Sequence, residues 1–151
     1  MPTTPLLADE LLRSAARLSR WASRHADLGM PFAQARVLAL VDDLGPCRVT
    51  TLATADDCSQ PSMTAQVQRL EAEGFVTRAV DPDDARASLV TLTTAGLDAL
   101  TGIRRARGAA LAPLLDAVQP DADRLRDAVT LLDGLLAAAR QSSPTLHRKD
   151  S

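Results

Sequence analysis

Residues 49–96 read VTTLATADDCSQPSMTAQVQRLEAEGFVTRAVDPDDARASLVTLTTAG. The stretch divides at its own punctuation. Val49 to about Ala55 forms a short helix, and Asp56-Asp57-Cys58-Ser59 is a turn. Ser59 suits the N-cap of a second helix and Pro61 its first turn, where a missing N–H does little harm. That helix runs from Gln60 to Glu73, with Met63, Val67 and Leu70 on its inward face, and Gly74 stops it in the left-handed cap position. Phe75-Val76-Thr77-Arg78 and Leu89-Val90-Thr91-Leu92 are two short strands. The polar segment between them, Ala79 to Ser88, is turn-forming, and Thr93 or Thr94 caps a third helix.

Short helix, turn, second helix and hairpin make the layout of a winged helix-turn-helix, which lays one helix in a DNA major groove and one loop beside it. On that layout Gln60, Ser62, Thr64 and Gln68 are the base readers. They are small or amide-bearing, so the helix can lie close to base edges, and Gln pairs with adenine through two hydrogen bonds. Without its neighbours the same face reads as solvated helix surface. Arg69 joins them as a DNA-binding candidate. Thr50 reads either as a helix cap or as a phosphate contact. Arg86, near the hairpin tip, suits a narrow electronegative minor groove, with Asp84 holding its guanidinium. The plainer reading of Asp84 and Arg86 is a local surface ion pair.

The rest of the chain is helix. Of 151 residues, 46% are hydrophobic and 2% aromatic, which suits one domain over 1–151 with a core of Leu, Ala and Val. Leu7, Leu11, Ala15, Leu18 and Ala22 form one face of a helix over 6–26. Arg13, Arg17, Arg20 and Arg24 form the other, read first as a solvated stripe and second as a phosphate- or partner-facing one. Trp21 and His25 lie at the edge of the apolar face. Phe32, Ala35, Leu38, Val41 and Leu44 make the buried stripe of the next helix, which Gly45-Pro46 ends. Leu97, Leu100, Ile103, Leu111 and Leu114 give an apolar side to a helix over Ala95 to Val118, with a kink or break expected at Pro113. Pro120 and Asp121 open a last helix carrying Leu125, Val129, Leu132, Leu135 and Leu136. Residues 142–151 are expected to be a disordered tail, whose Arg148-Lys149 end is passive or brushes DNA.

Several classes are disfavoured. No apolar run approaches the length that crosses a bilayer, and the N-terminus lacks the layout of a secretory signal. A cytoplasmic protein with no membrane partner is expected. Cys47 and Cys58 are too few for a disulfide framework and lack metal spacing, so no metal or cofactor is expected. His25 and His147 lie far apart, and no nucleophile or phosphate-loop motif accompanies them, which argues against an enzyme.

The chain resembles the MarR-type bacterial transcription regulators. The resemblance rests on Phe32 to Leu38, on Thr51-Leu52-Ala53, and on Leu70-Glu71-Ala72-Glu73-Gly74-Phe75-Val76-Thr77-Arg78. Its most specific part is Asp81-Pro82-Asp83-Asp84-Ala85-Arg86 followed by Leu92-Thr93-Thr94-Ala95-Gly96, similar to the family's Asp-x-x-Asp-x-Arg wing and Leu-Thr-x-x-Gly sequel. The resemblance implies a mainly α fold with a small β-wing. The winged helix-turn-helix would occupy 32–94, flanked by dimerisation helices over 6–26 and 95–141. It implies a homodimer that binds an inverted-repeat operator in double-stranded DNA, usually as a repressor, released by a small aromatic or phenolic effector. It gives Gln60 to Glu73 to the major groove, Arg86 to the minor groove and Asp84 to Arg86. By the same analogy an effector pocket lies near Trp21, His25 and Arg36. Two departures stand out. Ala85 and Ala87 replace the basic neighbours common around the wing arginine, and the first helix has no cysteine of the kind peroxide-sensing members use.

Charge is the objection to DNA binding. Between Arg48 and Arg86 the chain has four arginines (Arg48, Arg69, Arg78, Arg86) and seven carboxylates, a net −3. Affinity for DNA comes largely from phosphate neutralisation, so few phosphate contacts and help from helix N-termini are expected. Two alternatives follow. One is a regulator of the same fold switched by oxidation of Cys47, in a loop, or Cys58. The other is a helical protein-interaction dimer that no longer binds DNA.

Overall fold

The structure, a computed structural model, describes residues 4–142. Past Ser142, the expected tail and its Arg148-Lys149 end lie outside the described residues. The elements run α1 (Pro5–His25), α2 (Phe32–Leu44), α3 (Val49–Ala55), α4 (Gln60–Ala72), β1 (Val76–Asp81), β2 (Asp84–Leu92), α5 (Thr94–Val118) and α6 (Ala122–Ser142). The fold is mainly helical with one small antiparallel sheet. Contacts divide the chain after Leu111, within α5 and just before Pro113. The helix itself is continuous through Pro113, so the expected break is absent.

Local chemistry explains most boundaries. Thr4 caps α1, accepting the Leu7 N–H, so the helix begins at Pro5, one residue before its expected start. Ser59 caps α4 by accepting from the Ser62 N–H. At the other end of α4, Gly74 takes φ +81, a conformation in which a side chain would be strained. Its N–H reaches the Glu71 carbonyl, and the Phe75 N–H reaches Leu70, the paired bonds of a Schellman cap. Thr93, rather than Thr94, caps α5, its Oγ1 accepting from the Gly96 N–H at 3.0 Å. No threonine caps α3, whose N-cap is Arg48, so the capping reading of Thr50 does not hold.

The core of the segment through Leu111 gathers Val37, Leu38, Val41, Leu52, Met63, Val67, Leu70, Val76, Val90 and Leu100. The stripe expected on α2 is only partly buried: Ala35, Leu38 and Val41 are inside, but Phe32 and Leu44 are 46% and 45% exposed. Val37 and Gln34 take the vacated inward positions. Cys47 is buried and bridges Val90 through two backbone hydrogen bonds, adding a third short edge to the hairpin. It is therefore not the exposed loop residue that the redox alternative requires. Gly96 packs against the Phe75 carbonyl, and a Cβ there would lie 1.9 Å from that oxygen. Thr93 Oγ1 also donates to the Gly74 carbonyl at 2.6 Å, fastening the start of α5 to the end of α4.

Apolar side chains remain uncovered in the single chain. On α1 these include Leu6, Leu7, Leu11, Leu12 and Leu18, and on α6 Leu125, Val129, Leu131, Leu132, Leu135 and Leu136. No residue of α6 is buried. No helix among the described residues is long and apolar enough to cross a membrane.

Candidate nucleic-acid interface

The α3–turn–α4 unit is shaped by backbone bonds across the turn. The Cys58 N–H reaches the Ala53 carbonyl and the Asp57 N–H reaches Thr54, while Asp57 takes a left-handed φ of 52°. An Asp tolerates that conformation better than a branched residue does. The α4 face formed by Met63, Val67 and Leu70 is buried. Helical spacing puts Gln68 opposite it, with Thr64 on one flank and Ser62 and Arg69 on the other. Gln60, Ser62, Gln68 and Arg69 are exposed, and Thr64 is half-buried. Exposed Thr50 lies in the first turn of α3 and lines a shallow cleft with Thr54, Asp57 and Gln60. The N-terminus of α4 has less to offer an anion than expected. Pro61 has no N–H, and the Ser62 N–H is taken by Ser59.

The wing departs most from its sequence reading. The segment Ala79 to Ser88 is strand, not loop, on both sides of a turn at Pro82-Asp83. Val80 pairs with Ser88, and Asp81 with Asp84. Ala85, Arg86 and Ala87 therefore have no partner on β1 and bulge from the edge. Arg86 is the middle residue of that bulge and is exposed. Asp84 Oδ1 accepts from the Arg86 backbone N–H at 3.0 Å, fixing the bulge. Its carboxylate makes its ion pair with Arg48 at 4.0 Å, not with the Arg86 guanidinium.

Asp81, which sequence reasoning quoted only within the wing motif, holds the wing down. It is 6% exposed. Its Oδ2 accepts from Arg48 Nε at 2.8 Å and Nη2 at 2.6 Å, and its Oδ1 from the Asp83 N–H at 2.9 Å. Arg48 is the N-cap residue of α3, so this pair ties the wing turn to the helix-turn-helix. The Asp81 hydrogen bond also raises the Arg48 pKa above its already high ordinary value. Only the 33-residue separation of the pair hid it from a reading of local pattern.

These pairs decide which arginines are available. Arg48 is committed to Asp81, and Arg78 to Glu71 at 3.2 Å. Of the four arginines between 48 and 86, Arg69 and Arg86 are the two without an ion pair among the described residues. The pairs leave the net −3 unchanged, since each removes one cation with one carboxylate; only Asp56, paired with Arg36 from outside this stretch, is offset from elsewhere.

A second site lies among α1, α2 and α5. A cleft of about 360 Å³ is lined by Leu28, Phe32, Leu100 and Ile103 and by four arginines, Arg20, Arg36, Arg104 and Arg107. Arg36 lies 5.8 Å over the Phe32 ring. Of the three ligand candidates, Arg36 lines this cleft, whereas Trp21 and His25 do not. Those two rings stack on each other with centroids 4.3 Å apart, and His25 Nδ1 lies 2.8 Å from the Trp21 carbonyl oxygen. Burial raises the Cys47 thiol pKa above its ordinary value, and burial with help from Asp56 raises that of Cys58. No group of His, Cys, Asp and Glu among the described residues is arranged to hold a metal.

A helix-turn-helix with an outward polar helix face, followed by a hairpin pinned beside it, defines a winged-helix DNA-binding protein. The MarR family model matches residues 32–88. An HTH-type transcriptional regulator of Mycobacterium bovis is 32% identical over 132 residues, covering 86% of this chain and 92% of its own. A transcriptional regulator from Thermotoga maritima superposes with a TM-score of 0.68 at 22% identity, over 91% of this chain and 99% of that one. An Escherichia coli MarR mutant in complex with operator DNA gives 0.57 at 23% identity, over 87% and 94%. The chain belongs to the MarR family. It is a transcriptional regulator, not an enzyme.

Proposed function

We propose that the chain works in the cytoplasm as a homodimeric, sequence-specific repressor. It binds an inverted-repeat operator in double-stranded DNA and is released by a small aromatic or phenolic effector. The observation that carries the DNA reading is the pairing pattern. Arg48 and Arg78 are held by carboxylates, which leaves two uncommitted and exposed arginines, Arg69 on α4 and Arg86 on the wing bulge. Gln60, Ser62, Thr64 and Gln68 read bases, Thr50 and Arg69 contact phosphate, and Arg86 enters the minor groove with its backbone fixed by Asp84. The uncovered leucines of α1, and separately those of α6, support dimerisation. The flanking helices over 6–26 and 95–141 would make the pair and 32–94 would meet DNA. The arginine-lined cleft, Arg36 among its walls, supports an effector site. Trp21 and His25 would act beside that cleft, not in it.

Thiol switching is the weaker mechanism for this chain. Both thiol pKa values are raised, so both cysteines are thiols rather than reactive thiolates at neutral pH. The proposal is tested by incubating the purified protein with a random duplex pool at low salt and sequencing what is retained. An enriched inverted repeat supports it. A pool that stays random refutes it.

A further inference from the structure

The cleft carries an unmatched charge. Four guanidinium groups line it, and no carboxylate does. Arg104 is balanced from outside by Asp42 at 2.7 Å, and Arg36 by Asp56. Arg20 and Arg107 have no carboxylate partner among the described residues. Arg107 Nη2 donates only to Ser19, to its hydroxyl at 2.6 Å and its carbonyl at 3.3 Å. Its Nε is buried without a hydrogen-bond partner. Two uncompensated cations and an orphan buried donor beside an apolar wall suit a ligand with two negative charges on a small hydrophobic frame.

The partner of Arg36 gives the cleft a route to DNA. Asp56 is the C-cap residue of α3, within the turn that leads to Ser59 and α4. Its side chain is mostly buried. A carboxylate entering the cleft competes with Asp56 for the Arg36 guanidinium. Losing that partner strands a buried carboxylate in the turn next to the left-handed Asp57. We propose that the cleft binds an organic dianion, an aromatic dicarboxylate in chemical class, and that binding draws Arg36 off Asp56 and loosens the turn that orients α4. The inference rests on the effector-release reading above. It adds the ligand's charge and the ion pair that transmits its arrival.

The test uses the full chain and phthalate as probe, with benzoate and the neutral phthalamide for comparison. Calorimetry without DNA measures the cleft alone. Phthalate binds more tightly than benzoate, and phthalamide does not bind. Arg107→Gln and Arg20→Gln each weaken phthalate about tenfold, the effect of one charge-assisted hydrogen bond. Asp56→Asn tightens phthalate several-fold, because Arg36 is no longer held. Saturating phthalate then weakens wild-type binding to the selected duplex by roughly tenfold, and in Asp56→Asn that ratio falls towards one. Phthalate that does not bind, or binds no better than phthalamide, overturns the dianion assignment. An undiminished ratio in Asp56→Asn overturns the transmission. A wild-type protein that binds phthalate as described but no duplex supports the cleft assignment and refutes the DNA reading.

Discussion

Replacing Gly96 with alanine tests how the wing and α4 are joined to α5. The added Cβ would lie 1.9 Å from the Phe75 oxygen and 2.9 Å from its carbonyl carbon, and both are backbone atoms. No side-chain rotation relieves that overlap, so α5 and the segment after α4 must separate by roughly 1 Å or more. The separation stretches the bonds that cross the junction: Thr93 N–H to the Phe75 carbonyl at 3.1 Å, and Thr93 Oγ1 to the Gly74 carbonyl at 2.6 Å. Overpacking costs about 1–3 kcal/mol, and each weakened hydrogen bond adds about 1 kcal/mol. The sum, about 3–5 kcal/mol, lowers the melting temperature by about 10–15 °C in a chain of this size. Urea unfolding followed by circular dichroism at one fixed protein concentration measures it, since the stability of the proposed dimer would depend on concentration. Gly102, in the same helix, has nothing within 4 Å of a built Cβ. Gly102→Ala is therefore neutral or stabilising by about 0.5–1 kcal/mol, from helix propensity alone. A Gly96→Ala variant within about 0.5 kcal/mol of the parent refutes the reasoning.

Arg48→Ala loosens the wing more than Asp81→Ala, because the first takes the neutralising cation from a buried carboxylate and the second frees a half-exposed guanidinium to water; hydrogen exchange over 76–92 reports the order. The raised thiol pKa values mean that the folded state holds these protons more tightly than the unfolded chain does. Their contribution to stability is thus complete below the ordinary value of 9.0 and is lost as pH rises through the folded values. Cys47→Ala flattens that loss in unfolding curves taken across the alkaline range. Leu132→Glu and Leu135→Glu place a charge on an uncovered apolar face. Each yields monomers in ultracentrifugation and weakens operator binding by about 100-fold, as expected when a bivalent contact becomes single.

The sequence made the locally determined features readable. Ser59, Pro61, the Met63-Val67-Leu70 spacing and Gly74 each act within one or two helical turns, so α4 and its ends follow from composition. What escaped depends on partners far along the chain. The bulge at Ala85-Arg86-Ala87 exists because Asp81 pairs with Asp84 while Val80 pairs with Ser88, and no local propensity announces that register. The Arg48–Asp81 and Arg36–Asp56 pairs escaped for the same reason, although they decide which arginines are free. Phe32 misled because its spacing suits a core stripe, whereas it is half-exposed and lines the cleft. Trp21 and His25, which the family analogy puts at the pocket, stack on each other and do not line the cleft.

In the proposed function α4 and the bulged wing read DNA together, with Arg86 as the wing's cation. The most direct test is the affinity of Arg86→Ala for the duplex selected by the wild-type protein, against a scrambled duplex at the same salt. The expected result is a selected inverted repeat with half-sites about one helical turn apart, and a loss of roughly 10- to 100-fold on that duplex with little change on the scrambled one. Equal affinity of variant and wild type for the selected duplex would contradict it.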